Sequence, residues 1–241
     1  MDYGIQMYSI RDLTPKDMKA ALKGVADIGY KYVEFAGFFD HPAEQIREWL
    51  DEFGLICSGT HTGTSPLEND PQAILDYHRT IGTCDYIIPG TGLRNPEEIG
   101  WFVDFCKKTI PMLREEGFRL HYHNHDSEFR VLKDGILPYS YLELQTELSL
   151  ELDTYWLYVA GTDPLAVMER LKDRVRFIHV KDGNNSGYGA PLGQGTAPVA
   201  DVVAAAKRLG FTMIVESETL KPTGLEEAKI SFEYLKSLEE N

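Results

Sequence analysis

The chain has 241 residues, 43% hydrophobic and 26% charged, with 21 Gly and 12 Pro. This excludes a disordered chain, a collagen-like repeat and a disulfide-rich miniprotein, and no apolar run approaches the ~20 residues of a bilayer span. A formal charge of -14, from 24 basic and 38 acidic side chains, opposes binding to nucleic acid or to an anionic membrane.

The predicted elements alternate along the chain. Short apolar runs that read as strands occupy residues 3–10, 32–35, 55–59, 86–89, 118–123, 148–152, 175–180 and 211–215. Between the first two, Met18, Ala21, Leu22, Val25 and Ile28 recur at helical spacing. Pro15, Pro42, Pro71, Pro96, Pro164 and Pro198 each open a helical segment, where a missing N–H costs nothing. Thr14, Asp70, Asn95 and Asp163 precede four of them as N-caps. Gly29, Gly54, Gly117 and Gly210 follow apolar stripes and precede strands, as helix-terminating glycines do.

Eight βα units in this length predict an α/β fold, a (β/α)8 barrel, as one domain over residues 1–241. A doubly wound sheet is the rival, but no GxGxxG follows the first strand. The longest loops, 62–69, 125–139 and 182–197, all follow strands, which puts them on a barrel's catalytic face. The start MDYGIQMYSIRD has no basic region ahead of an apolar stretch, so a cytoplasmic location is expected. Cys57, Cys84 and Cys106 are widely spaced and read as reduced apolar fillers. His41 and His78, in helical or loop contexts, read as surface residues.

The strand ends carry a polar set. Gln6, Tyr8 and Arg11 end the first, Glu34 the second and His61 the third; His121-Tyr-His-Asn-His125 ends the fifth. Asp153 ends the sixth, His179-Val-Lys-Asp182 the seventh and Glu216-Ser-Glu218 the eighth. Asp153 alone reads equally as a helix cap or a site residue. Histidine, Asp and Glu at the mouths of several strands together form a divalent-metal constellation, suited to Mn, Zn, Fe, Co or Ni. Lys181 lies two residues after His179, so both side chains take one face of the strand. It reads either as a ligand for a substrate oxygen or as a rim ion pair with Asp182 or Glu218. Arg11 reads as a mouth residue or as a surface pair with Asp12.

The segments GIQMYSIRD, KYVEFAG, YHNHDSEF, ELDTYW, FIHVKDG, LGQGT and IVESE run in order along essentially the whole chain. Taken together they resemble the sugar phosphate isomerase/epimerase family, with its xylose isomerase-like TIM barrel. The resemblance implies one divalent metal ion, held by a strand-five acid, a strand-six Asp, a strand-seven His and a strand-eight Glu. Asp153, His179 and Glu216 match three of these. At strand five His123 stands where many members have Glu, with His125 and Glu128 within reach. The resemblance further implies a metal-dependent sugar isomerase or epimerase acting through an enediolate, on a small carbohydrate, keto-sugar or inositol derivative. Glu216 would serve as ligand and base, His123 or His125 would face it, and Lys181 would stabilise the developing charge. Glu34, His61, His125, Trp156 and Glu218 would shape the substrate pocket, Glu34 alternatively tying the barrel floor together.

A lyase or dehydratase on the same scaffold shares the first proton abstraction, and a non-catalytic sugar-binding barrel is a further alternative. An endonuclease IV-type repair enzyme is opposed by the acidic charge and by a count of seven histidines. Gly183, Gly187, Gly189 and Gly193-Gln-Gly195 provide a loop whose N–H groups suit an anion, yet Lys181 is the one cation beside them in sequence. That balance favours a neutral sugar over a phosphosugar. A homo-oligomer is compatible with all these readings.

Overall fold

The computed structural model describes residues 1–239. The chain runs through β1 (Gly4–Gln6), β2 (Tyr32–Phe35), β3 (Ile56–His61), β4 (Asp85–Ile88), β5 (Arg119–His123), β6 (Ser149–Asp153) and β7 (Val175–Val180). It then makes a small antiparallel hairpin, β8 (Asp182–Gly183) and β9 (Gly189–Ala190), before β10 (Thr212–Val215). Among the described residues, β1 to β7 and β10 form a closed parallel barrel in which β10 pairs with both β7 and β1. This is the expected (β/α)8 architecture, with the helices as an outer layer.

Period-two alternation divides each strand between two environments. On β6, β7 and β10 the side chains of Leu150, Leu152, Ile178, Val180, Met213 and Val215 join the apolar layer shared with the helices. The alternate positions, among them Glu151, Asp153 and His179, face the barrel interior. The helix Met18–Ile28 supplies Met18, Ala21, Leu22 and Val25 to the apolar layer. Full burial of a Met, Leu or Val side chain is worth roughly 1.5–3 kcal/mol relative to exposure.

Helix punctuation follows the expected chemistry with local exceptions. Asp70, Asn95 and Asp163 accept N–H bonds at the starts of Pro71–Ile81, Pro96–Glu115 and Pro164–Arg170. The first helix instead starts at Met18, because Asp17 rather than Thr14 caps it and residues 11–16 form turns. Pro42 and Pro198 occupy N-cap positions, one residue before their helices. Gly29, Gly54 and Gly210 are left-handed C-caps, while Gly117 follows the C-cap Glu116.

The first strand is shorter than predicted. It ends at Gln6, whose side chain accepts the Tyr8 N–H at 2.9 Å and turns Met7–Ile10 into a 3-10 helix. His78 is fully buried, contrary to its surface reading. It bridges the Ile74 carbonyl, at 2.7 Å from Nδ1, and Thr60 Oγ1, at 2.5 Å from Nε2. Cys57 and Cys106 are buried, Cys84 is half-buried, and all three are free thiols.

The barrel is irregular at two places, each beside an interior glutamate. The β2–β3 register shifts between Val33 and Glu34, and the β6–β7 register between Leu150 and Glu151. Such bulges re-aim the side chains next to them. Among the described residues, no helix is long and apolar enough to cross a membrane.

Candidate metal centre

At the C-terminal end of the barrel, four side chains converge. The strand pairing aligns Asp153 with His179 and His123 with Glu151, and Glu216 follows β10 directly. Donor atoms of His123, Asp153, His179 and Glu216 all lie within 4.8 Å of one another, and all four residues are buried. His179 Nδ1 is 3.1 Å from Glu216 Oε2 and 4.0 Å from Asp153 Oδ2, and His123 Nε2 is 3.9 Å from Asp153 Oδ2. Bonds of ~2.1 Å at tetrahedral angles would place ligand atoms ~3.4 Å apart, within the range seen here.

Asp153 caps a helix with one oxygen and places the other in the cluster. Its Oδ1 accepts the Trp156 N–H at 2.9 Å and caps the helix Thr154–Val159. Its Oδ2 is buried and accepts no hydrogen bond, with Lys181 Nζ 3.3 Å away. Burial raises the Asp153 pKa, against the pull of Lys181 and His179. A buried, unsatisfied carboxylate oxygen facing two imidazoles and a second carboxylate fits a divalent cation.

Beneath this set lies a second one, His61, His123, Glu151 and His179, also close enough to hold an ion. Its internal contacts favour a supporting part. Glu151 Oε2 lies 2.7 Å from His61 Nε2 and 3.1 Å from His123 Nδ1, and Glu34 Oε1 lies 2.8 Å from His179 Nε2. Glu34 also accepts from Gln6 Nε2 at 2.7 Å and lies 3.1 Å from His61 Nε2. When the lower nitrogens of His123 and His179 donate to these carboxylates, their upper nitrogens are left as lone pairs facing Asp153 and Glu216. Carboxylates commonly orient metal-binding imidazoles this way.

Burial opposes a charge on His179, but Glu151, Glu34 and Glu216 outweigh it and hold its pKa well above the ordinary histidine range, so an ion bound at Nδ1 would displace a proton. Burial opposes a charge on His61, but Glu34 and Glu151 outweigh it and raise its pKa to about 9. The imidazolium thus neutralises part of the lower layer. Burial, reinforced by the charges of His179 and His61, holds His123 well below the ordinary histidine range. Burial also opposes the Lys181 charge, yet Asp153, Glu216 and Glu218 outweigh it and hold the ammonium well above its ordinary range. Lys181 Nζ is 2.9 Å from Glu216 Oε2 and also donates to Glu218. Its predicted alternative partner, Asp182, points elsewhere.

A cavity of about 510 Å³ opens above the centre, walled by Tyr8, Gly37, His61, His125, Glu216 and Glu218 among others. A smaller one of about 190 Å³ adjoins it through Glu216 and Glu218 and contains Trp156 and Lys181. His125 lines the larger cavity and packs against His123 and Trp156. Glu34 lies below the cavity with no exposure. Glu128 stands apart from both clusters: it accepts from Tyr122 Oη at 2.7 Å and from the His125 N–H at 3.1 Å, fastening the loop after β5. Arg11 donates to the carbonyls of Tyr8 and Glu218, with no pairing to Asp12.

Sequence reasoning missed Glu151. Its signal is an acidic residue inside the apolar run Leu148-Ser-Leu-Glu-Leu152, two positions before Asp153 and so on the same face. His121, grouped by sequence with the strand-five histidines, pairs instead with Asp85 at 2.8 Å.

A parallel barrel with a histidine–carboxylate cluster at the mouths of its strands defines a recognisable class of protein. The chain belongs to the xylose isomerase-like TIM barrel family, which it matches over residues 22–238. Inosose dehydratase of Geobacillus kaustophilus (strain HTA426) is 25% identical over 187 residues, covering 67% of this chain and 60% of that protein. The chain therefore spans less than two thirds of the length of this curated relative. A sugar phosphate isomerase/epimerase from Parabacteroides distasonis ATCC 8503 superposes with a TM-score of 0.84 at 21% identity, over 98% of this chain and 96% of that one. D-allulose 3-epimerase from Methylomonas sp. gives 0.72 at 15% identity, over 99% and 98% respectively. At these identities the two structures show a shared fold.

Proposed function

We propose that the chain is a divalent-metal-dependent isomerase or epimerase of a sugar, keto-sugar or inositol derivative. The observation that carries this reading is the convergence of His123, Asp153, His179 and Glu216 below an open cavity, with Asp153 Oδ2 buried and unsatisfied. These four residues would hold one ion of Mn, Zn, Co, Fe or Ni. Lewis acidity toward a substrate carbonyl and its neighbouring hydroxyl is the chemistry such an ion supplies.

The chain's own residues supply the rest. Glu216 Oε2 is engaged by His179 and Lys181, so Oε1 is the atom available to take a proton from carbon. His123 or His125 provides the second proton carrier; both line the cavity, and His125 is the better placed because His123 Nδ1 is held by Glu151 and its Nε2 faces the position of the ion. The Lys181 ammonium stabilises negative charge that develops on a substrate oxygen. Glu218, His61 and Trp156 contact hydroxyls and C–H surface from the two cavities. Return of the proton to the neighbouring carbon is isomerisation, and return to the opposite face is epimerisation.

Elemental analysis of the purified protein is the first test, beside His179→Ala and Asp153→Ala. About one transition-metal ion per chain, lost in both variants, is the expected result. Deuterium uptake from heavy water into a substrate carbon, abolished in a folded, metal-replete Glu216→Gln variant, tests the base. Full turnover by that variant removes Glu216 from the role. The similarity to inosose dehydratase favours one second reading, in which the same proton abstraction is followed by loss of a β-hydroxyl. Product analysis by NMR separates the two.

A further inference from the structure

The cavity region also bears on the charge of its ligand. Barrels frequently bind phosphate on backbone N–H groups of the loops that follow their seventh and eighth barrel strands. In this chain four N–H groups of the loop after β7 face inward, onto Asp182. Its Oδ1 accepts from the N–H of Gly183 at 2.8 Å and Ala197 at 3.2 Å. Its Oδ2 accepts from Gly193 at 2.9 Å and Gly195 at 3.0 Å. The loop is wrapped so closely that a Cβ at Gly195 would overlap Asp182 Oδ1 and come within 2.7 Å of its Cγ. A side-chain carboxylate thus fills the place where an external anion would sit.

The cations nearby are committed as well. Lys181 faces Asp153, Glu216 and Glu218. The Arg11 guanidinium is turned onto the carbonyls of Tyr8 and Glu218. Among the described residues, the larger cavity is lined by two carboxylates, Glu216 and Glu218, and by no Lys or Arg. The smaller one adds Lys181 but also Asp182. A phosphate dianion would meet carboxylates and no unpaired Lys or Arg: the His61 imidazolium is paired with Glu34 and Glu151, and the donors left over, such as Trp156 Nε1, are neutral. A neutral hydroxyl, in contrast, can donate to Glu218.

We infer that this site takes an uncharged polyhydroxylated carbonyl compound and excludes phosphate esters, with Asp182 filling the anion cradle and Glu218 neutralising the cavity's lysine. The inference rests on the proposed reading of the cavity as the substrate site.

The test uses metal-loaded protein in heavy water, with free ketohexoses and inososes on one side and their phosphate esters on the other. NMR reads deuterium at carbon, and thermal melting with the same compounds reads binding independently. Expected are exchange into at least one free compound ~100-fold faster than into any phosphate ester, and stabilisation by free compounds alone, since juxtaposed like charges oppose binding. Phosphate esters that exchange or stabilise as well as the free compounds overturn the inference. So does a panel in which no free compound exchanges or stabilises. Stabilisation by free compounds without exchange upholds the charge inference while removing the proton-transfer reading. In Glu218→Gln, where Lys181 loses one carboxylate, binding of phosphate esters is expected to improve ~10-fold; unchanged discrimination overturns the part given to Glu218.

Discussion

Glu151 shows how a residue outside the upper cluster can govern it. One oxygen, Oε2, lies within 3.1 Å of both His61 and His123, and 3.3 Å from His179. Removing its charge frees the imidazoles to rotate and to change tautomer. Glu151→Gln is therefore expected to weaken metal binding ~10–100-fold while the barrel stays folded, as measured by competition with a chelator. His78 supports a separate prediction. Burial lowers its pKa to about 4, with a partial offset from the Ile74 carbonyl, so the ring is neutral in the fold. In the unfolded chain it protonates near ~6.5. The unfolded state thus binds more protons between these values, and this contribution to stability is present above pH ~6.5 and lost as the pH falls toward 4. Its full size is ~3 kcal/mol. Melting temperature against pH should fall less steeply across that window in His78→Phe than in the parent.

At the scale of elements, the ends of strands and the caps of helices share residues. Asp153 closes β6, caps the helix Thr154–Val159 and keeps its second oxygen toward the candidate metal centre. The two duties are separable. Asp153→Asn retains an N-cap oxygen and should melt near the parent temperature without metal, while holding metal poorly. Asp153→Ala loses both, and should melt lower by the ~1 kcal/mol a cap is worth. The loop after β7 behaves as an element in its own right, folded around the Asp182 carboxylate. Gly195→Ala drives a methyl group into that carboxylate and into the Gly183 nitrogen. A loss of ~1–3 kcal/mol is expected, read as a melting decrease of ~2–4 °C per kcal/mol.

For the whole molecule, the candidate metal centre joins four consecutive strands of the barrel. His123, Asp153, His179 and Glu216 come from β5, β6, β7 and the end of β10, so an ion held there binds the folded chain alone. Loading at ~100 times the dissociation constant should add ~2.7 kcal/mol, and chelation should reverse the gain in melting temperature. A chain that shows no shift with any of the five ions would argue against the centre. The charge of -14 works against compactness by self-repulsion, and neutralisation of the acidic barrel mouth is one local relief.

Much of the barrel was legible because its signals are local. Apolar runs, prolines at helix starts and glycines at helix ends each report on a few neighbouring residues, and they located all eight barrel strands. Two misreadings were local too: Gln6 folds back on Tyr8 and stops β1 early, and Asp17 replaces Thr14 as a cap, because polar side chains choose among competing N–H groups that sequence does not rank. The chain's order of segments also determined its family and the polar set at the strand mouths. Tertiary structure alone decided which of those residues meet. Barrel closure brings Glu34 of β2 against His179 of β7, 145 positions apart; the bulges beside Glu34 and Glu151 accompany their place beneath the histidines, and the loop fold turns Asp182 inward. Sequence sets which donors exist and which strand face they occupy, whereas distances of about 3 Å between strands depend on barrel register and closure, which no local pattern encodes.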